Sequence, residues 1–201
     1  MGELHDNAAF EGGFADPVFG SQAVFREVME AMANPGRIVD AGDVTRAPTP
    51  LSSAASAFLA TFADHDTPAW FEDADCAAAK AWLSFQTGAP EAGTPSVAAF
   101  AVLAMPSAIE NWSHFSIGNS SYPDRSATLL LPVEALHGGS PLKLTGPGIE
   151  TSAMISPIGL PAGFRDAMAR NATLFPLGFD LILHCGTALL ALPRTTQITE
   201  V

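Results

Sequence analysis

The stretch FPLGFDLILHCGTALLALPRTT, residues 175–196, decides how this chain folds. Two apolar runs, ending at Leu183 and Leu192, flank the short turn Cys185-Gly186-Thr187. Apolar runs on either side of a glycine turn predict two adjacent buried strands that form a hairpin. Pro193 cannot donate a hydrogen bond to a strand ladder, so the second strand should end there.

Upstream of the hairpin, the chain alternates helix-like and strand-like segments. Apolar residues three and four positions apart, or capping signatures, predict five helices. They cover residues 21–34, the segment from the caps Ser52 and Ser53 to Phe62, the segment from Asp75 to Phe85, a segment that opens at the capping box Ser107-Ala108-Ile109-Glu110, and residues 161–172. Short apolar runs predict strands at residues 38–39, 69–71, 97–105, 127–131, 142–145 and 149–155. The predicted fold class is α/β, a three-layer α/β/α domain whose mixed sheet is covered by helices on both faces.

The N-terminal residues differ from the rest of the chain. Residues 1–16 are acidic and contain glycine breaks, which predicts a flexible N-terminal arm. No linker or repeat divides the remainder, so residues 17–201 are predicted to form a single α/β domain.

The composition favours a protein with a permanent interface. Apolar residues make up 48% of the 201 residues and charged residues only 15%, with a mean hydropathy of +0.23. Few charges remain to cover the surface, as expected of a subunit. The alternative is a monomer rich in alanine and proline, because alanine raises hydropathy without forming adhesive patches.

The charge argues against two classes of partner. A net charge of -12 repels nucleic acid phosphates and anionic lipids, so neither nucleic acid nor membrane binding is expected. The segment from Asp64 to Asp75 holds five acids and no base; solvated loops or a basic partner face would both explain it. With no secretory signal or membrane span, and with Cys76 and Cys185 far apart, we expect a cytoplasmic protein with reduced thiols.

Two motifs are weak candidates for a phosphate site and a metal site. Gly146-Pro147-Gly148 could cradle a phosphate, but Thr151 breaks the dinucleotide fingerprint and no Walker lysine follows, which favours a plain turn. Asp64 and Asp66 flank His65, yet three successive residues rarely point at one ion. No metal is therefore expected.

Cofactor chemistry has little support from the residues. Pyridoxal phosphate (PLP) requires a lysine for its Schiff base, and the chain offers only Lys80 and Lys143, neither in a convincing setting. No G-x-S-x-G elbow or local catalytic triad is present.

The best polar cluster is Arg194-Thr195-Thr196, directly after the second strand of the hairpin. A guanidinium and two hydroxyl groups could hold a carboxylate or a phosphate. The competing interpretation is that Arg194 pairs with an acid, such as Asp180, at the edge of the core.

Seven strings in order resemble the H subunit of the bacterial carbon-phosphorus lyase system, over roughly residues 17–197. The first consists of FR at 25–26, Met29 and AMANPG at 31–36. The others are ADHDTPAW at 63–70, TGAP at 87–90, ATLLL at 127–131, LTGPGI at 144–149, FPLGFDLIL at 175–183 and LLALPRTT at 189–196. One departure is Gln86, where the family pattern has histidine, so any role of that histidine is in doubt here.

The resemblance implies a fold similar to the PLP-dependent transferases without the cofactor or its lysine. It implies a homodimer that docks on the G, I and J subunits of a core complex in phosphonate catabolism. With the G, I and L subunits, such a protein is needed to form alpha-D-ribose 1-methylphosphonate 5-triphosphate from ATP and a phosphonate, and the I subunit is the expected catalyst.

Three functions follow as hypotheses. The first is a noncatalytic assembly subunit, and the second is a subunit that contributes residues to a shared nucleotide or phosphonate pocket. The third, a stand-alone PLP transferase, fits least. The candidate ligand-contact or interface residues are Arg194, Thr195, Thr196, Asp180, Thr145, Gly146, Gly148, Asp64 and Asp66.

Overall fold

A six-stranded sheet and a smaller three-stranded sheet organise the protein in a computed structural model that describes residues 10–108 and 112–200. The strands are β1 Val39–Asp40, β2 Ala69–Phe71, β3 Phe100–Val102, β4 Thr128–Pro132, β5 Leu142–Thr145, β6 Ala153–Ile155, β7 Asp180–Cys185, β8 Ala188–Leu192 and β9 Gln197–Glu200. The α-helices are α1 Pro17–Ala33, α2 Ser53–Phe62, α3 Ala77–Thr87 and α4 Phe164–Ala172. The predicted α/β class is confirmed.

The larger sheet is mixed, as predicted. Its strand order is β1-β8-β7-β4-β3-β2, with β2, β3, β4 and β7 parallel. Strands β7 and β8 form the predicted antiparallel hairpin, in which Leu183 lies opposite Leu190. Strand β1 pairs antiparallel with the far side of β8. The hairpin therefore lies inside the sheet, between β1 and β4.

Alternate residues of the large sheet face two separate cores. Leu130, Ile182 and Leu189 pack with helices α1, α2 and α3 on one face. Leu131 and Leu183, one position along their strands, pack on the other face with α4 and the small sheet. This two-sided burial explains why the strands are continuously apolar.

The second face agrees only in part with the prediction of helices on both sides. It is covered by α4 together with the small sheet, whose order is β6-β5-β9. No strand is predicted after Pro193, which cannot donate to a strand ladder, so β9 adds to the predicted elements. Pro193 does end the large-sheet ladder, but a turn closed by Thr196 N–H and the Pro193 carbonyl, 2.8 Å apart, leads the chain back to pair with β5.

Helix α1 begins four residues before the predicted start. The carboxylate of Asp16 accepts hydrogen bonds from the N–H groups of Val18 and Phe19, both at 3.1 Å. Pro17 occupies the first helical position, where its missing N–H costs nothing. The aspartate cap and the proline, both visible in the sequence, explain the earlier start.

Residues 10–16, the last part of the predicted N-terminal arm, contact the rest of the domain. The indole of Trp82 donates to the Glu11 carbonyl at 2.9 Å, and the Arg46 N–H donates to the Gly12 carbonyl at 2.8 Å. The ring of Phe10 meets the edge of Phe85 with centroids 4.8 Å apart. The packed chain therefore starts before Pro17, while residues 1–9 of the predicted arm lie outside the described residues.

The helix predicted to open at Ser107 falls largely on residues 109–111, which lie outside the described residues. The described residues before that gap are held by Glu72, whose carboxylate accepts from Ser107 Oγ, Ala104 N–H and Ala108 N–H at 2.7–2.8 Å. A 3₁₀ turn, Trp112–His114, follows the gap. Glu72, at the end of β2, thus fixes the loop that follows β3.

Candidate functional site

Seven of the nine predicted site residues gather where β7 begins and β8 ends. Strand β7 starts at Asp180, and Arg194 follows the end of β8. Thr145 lies opposite Gln197 in the small sheet, which brings the β5 end next to the segment after Arg194. We call this group the amino-edge cluster: Thr145, Gly146, Gly148, Asp180, Arg194, Thr195 and Thr196.

Arg194 and Asp180 form a two-pronged ion pair. The Arg194 Nη2 lies 2.5 Å from Asp180 Oδ2, and its Nε lies 3.2 Å from Oδ1. The main-chain N–H of Arg194 also donates to Oδ1, at 2.8 Å. The side chains are only 15% and 14% exposed. The prediction that Arg194 pairs with Asp180 is confirmed.

The remaining guanidinium donors serve a neighbouring loop. Arg194 Nη1 donates to the Pro123 carbonyl at 2.7 Å, and Nη2 donates to Ser126 Oγ at 2.5 Å. A guanidinium has five N–H groups, and at least four are committed inside the chain. Arg194 therefore joins three segments of the protein, and its capacity for an incoming anion is nearly used up.

The Gly146-Pro147-Gly148 segment forms the predicted turn, closed by Ile149 N–H donating to the Gly146 carbonyl at 3.1 Å. Gly148 has a φ of +84°, and a side chain there would collide with the Ala33 carbonyl at the end of α1. A Cβ on Gly146 would lie 2.9 Å from the Thr195 carbonyl. These glycines thus let three backbone segments approach closely.

Thr196 carries an unsatisfied hydroxyl group. It is 1% exposed, and its Oγ1 has no hydrogen-bond partner among the described residues. Thr195 is half-buried, and its carbonyl packs against Gly146. The Thr196 hydroxyl is therefore a buried polar group that makes no hydrogen bond to the described residues.

Replacing Thr196 by valine is expected to raise the free energy of unfolding by about 1 kcal/mol, because it removes a buried polar group that has no partner. Chemical denaturation of the isolated protein measures this change. Thr196→Ser is the matched control, since it keeps the hydroxyl, loses a methyl group and should destabilise. A less stable valine variant would mean that the hydroxyl has a partner in solution.

Asp64 and Asp66 lie apart from the amino-edge cluster, in the loop between α2 and β2. The Asp64 carboxylate accepts from the Asp66 N–H at 2.9 Å and contacts Thr67 Oγ1. His65 Nε2 lies 3.4 Å from Asp66 Oδ2, and both side chains are about 80% exposed. No group of three or more potential metal ligands occurs in residues 10–108 and 112–200. The loop is a turn stabilised by hydrogen bonds among its own residues.

The two lysines stand in different surroundings. Lys80 Nζ contacts Glu91 Oε1 at 2.6 Å, and this hydrogen bond raises the pKa of the ammonium. Lys143 is exposed on β5. Gln86, at the position that departs from the family pattern, lies with its side-chain amide against Gly13. It helps hold the N-terminal segment to α3.

The sequence analysis missed the pairing of Ser52, which is partly exposed, with the buried His184. Ser52 caps α2 by accepting the Ala55 N–H at 3.1 Å, and its Oγ shares a hydrogen bond with His184 Nδ1 at 2.9 Å. His184 is 2% exposed, and its Nε2 has no partner among the described residues. Burial lowers the pKa of this imidazole from 6.5 to about 4.

The signal for this pair was present in the sequence. His184 interrupts the apolar run of β7, and a lone polar residue in a strand buried on both faces requires a partner. Its partner lies 132 residues earlier, so no spacing rule could name Ser52. At neutral pH the imidazole is uncharged and serves to hold the start of α2.

A cavity of about 600 Å³ lies away from these groups. It opens between the start of α4 and the small sheet. Arg165 and Glu200 form an ion pair on its wall. None of the nine predicted site residues lines it.

None of the helices in residues 10–108 and 112–200 has the length and apolar character needed to span a bilayer.

Sequence comparison shows that this mixed α/β chain matches a family of bacterial phosphonate metabolism proteins. Residues 12–199 match the family model described as bacterial phosphonate metabolism protein. The chain belongs to this family, PhnH.

Two curated relatives agree with the family. The PhnH subunit of alpha-D-ribose 1-methylphosphonate 5-triphosphate synthase from Rhizobium meliloti (strain 1021) is 43% identical over 190 residues, covering 94% of this chain and 95% of the relative. A candidate C-P lyase subunit from Stutzerimonas stutzeri, HtxG, is 37% identical over 82 residues, covering 41% of this chain and 42% of the relative. The resemblance seen in the sequence is therefore confirmed.

Proposed function

We propose that this chain is the H subunit of a carbon-phosphorus lyase complex, which acts in the cytoplasm to form alpha-D-ribose 1-methylphosphonate 5-triphosphate from ATP and a phosphonate. Its role is assembly rather than catalysis. The family membership and the near full-length similarity to the Rhizobium meliloti synthase subunit support the system.

The observation that carries the noncatalytic role is the state of Arg194. This residue was the strongest candidate for binding an anionic substrate, and its donors are committed to Asp180, Pro123 and Ser126. Binding a phosphate would require breaking a largely buried ion pair, which is costly. The arginine therefore serves the fold of the subunit.

Exposed apolar side chains support an assembly role. On α1, the exposed fractions are 70% for Val18, 69% for Phe19, 47% for Phe25 and 40% for Met29. Exposed apolar residues grouped on one helix favour burial against another protein. We propose a homodimer that docks on the G, I and J subunits, with a fold similar to that of PLP-dependent transferases and without bound PLP.

Co-expression with the G, I and J subunits tests this proposal. We expect affinity purification through this chain to recover all three in fixed stoichiometry, which native mass measurement would establish. A lone, well-behaved protein that forms no complex with them would contradict the proposal. An imine absorbance on adding PLP, lost in Lys143→Ala, would support a stand-alone PLP enzyme instead.

A shared pocket is the second candidate function, and the buried Thr196 hydroxyl is the observation that favours it. Arg194→Ala is a poor test, because losing the ion pair would also disturb the fold. Thr196→Val keeps shape and burial. If the complex assembles with this variant and synthesis is lost, the shared pocket is supported; unchanged synthesis argues for the assembly role.

A further inference from the structure

A groove runs between helix α3 and strand β2, at the edge of the large sheet. Its volume is about 420 Å³. Ala74, Ala77 and Ala81 leave it open, and Phe71 lines its inner side. We call it the α3–β2 groove. It contains none of the residues in the amino-edge cluster.

The main chain of β2 has unused hydrogen-bonding groups beside this groove. On the side of β2 opposite β3, the Ala69 N–H donates to the Pro90 carbonyl at 2.9 Å, and the Ala69 carbonyl accepts from the Ala92 N–H at 2.8 Å. Such groups alternate sides along a strand, so Phe71 directs its own pair the same way as Ala69. No main-chain group among the described residues pairs with them. The segment at Pro90–Ala92 thus extends the sheet at Ala69 and stops short of Phe71.

An unpaired strand edge accepts an extended peptide, because both main-chain groups of Phe71 are satisfied by another strand. The small alanine side chains along α3 leave space for the side chains of such a peptide. A helix would leave the Phe71 groups unpaired, because its own main-chain groups bond to one another. The backbone chemistry of the groove therefore favours an extended segment.

The charges around the groove indicate the charge that such a segment should carry. Asp73 and Asp75 are exposed on either side of Ala74, at the end of β2, and Glu91 lies on the wall. Lys80 is engaged by Glu91 at 2.6 Å, so the two aspartates are in excess. Complementary charge on the incoming segment is therefore positive.

We propose that the α3–β2 groove receives an extended, basic segment of another subunit, which adds to the edge of β2. This inference rests on the proposed function, since it locates one of the docking contacts of that complex. It also assigns a basic partner to the end of the acidic segment Asp64–Asp75, at Asp73 and Asp75.

Blocking the groove tests the proposal. Ala81 and Ala78 are both exposed on α3, but only Ala81 lines the groove. We expect Ala81→Trp to weaken binding to the co-purified G, I and J subunits by about tenfold or more, and Ala78→Trp to bind like the wild type. Equal binding of Ala81→Trp and wild type would overturn the inference while leaving the proposed function intact. A wild-type chain that fails to bind would overturn both.

Charge reversal gives a second, independent readout. Asp75 follows β2 beside the groove, whereas Glu150 lies in the turn between β5 and β6, and both are exposed. We expect Asp75→Lys to weaken binding and to reduce its dependence on salt, with Glu150→Lys close to wild type. Thermal melts of all four variants should match the wild type, because each change lies at an exposed position. Equal effects of the two lysine variants would contradict the groove as the site.

Discussion

Replacing Arg194 by alanine is expected to lower the free energy of unfolding by about 3 kcal/mol, as for other buried ion pairs that lose one partner. The variant leaves the Asp180 carboxylate, 14% exposed, without its cation. It also releases the Pro123 carbonyl and Ser126 Oγ. Urea denaturation of the isolated subunit at neutral pH measures the loss.

The matched control is Arg37→Ala. Arg37 also forms an ion pair, with Glu30, but its side chain is 60% exposed. A surface pair of this kind contributes about 0–1 kcal/mol, because water screens both charges. Equal losses in the two variants would show that the enclosure of Arg194 has no energetic consequence. Arg194→Lys should fall between them, since an ammonium cannot reproduce the two-pronged geometry.

Acidification from pH 6.5 to pH 4 is expected to cost the folded protein about 3 kcal/mol through His184 alone. The unfolded chain binds a proton at this residue near pH 6.5, whereas the folded chain does so only near pH 4. Between these values the unfolded state binds more protons, so stability falls as the pH falls. Above pH 6.5 the imidazole is neutral in both states and the cost disappears.

His184→Asn isolates this contribution. The asparagine side chain can retain a hydrogen bond to Ser52 at the position of Nδ1, and it does not titrate. Unfolding free energies of both proteins, measured in urea at intervals from pH 7 to pH 4, should diverge as the pH falls, with the variant less sensitive. Parallel curves would show that His184 is not buried as a neutral base. Carboxylates affect both proteins alike and cancel in the difference.

Local patterns predicted the hairpin and the order of most elements. The apolar runs around Cys185-Gly186-Thr187 became β7 and β8, and the caps at Ser52 and Ser53 marked the start of α2. Each of these signals lies within a few residues of the structure that it specifies. Backbone geometry and burial then leave few alternatives.

What the sequence could not supply depends on distant contacts. Strand β9 follows a proline and has a single buried residue, Ile198, so its apolar pattern is too short to read. It exists because β5 offers a pairing edge. The amino-edge cluster was foreseen as a set of residues, but only the positions of Pro123 and Ser126 reveal that most guanidinium donors of Arg194 are already used. The Ser52 and His184 pair was missed for the same reason.

The position of β8 within the large sheet also bears on how the chain folds during synthesis. Strand β1 pairs with β8, about 150 residues later, and the buried face of α1 packs over β8 as well. Helix α2 covers part of the buried face of α1, but the side chains of Val24, Val28 and Ala31 lack the rest of their cover until residues 188–192 have left the ribosome. Long-range pairing of this kind slows folding and prolongs the exposure of apolar surface. The nascent subunit is thus a natural client for chaperones until its last strands are made.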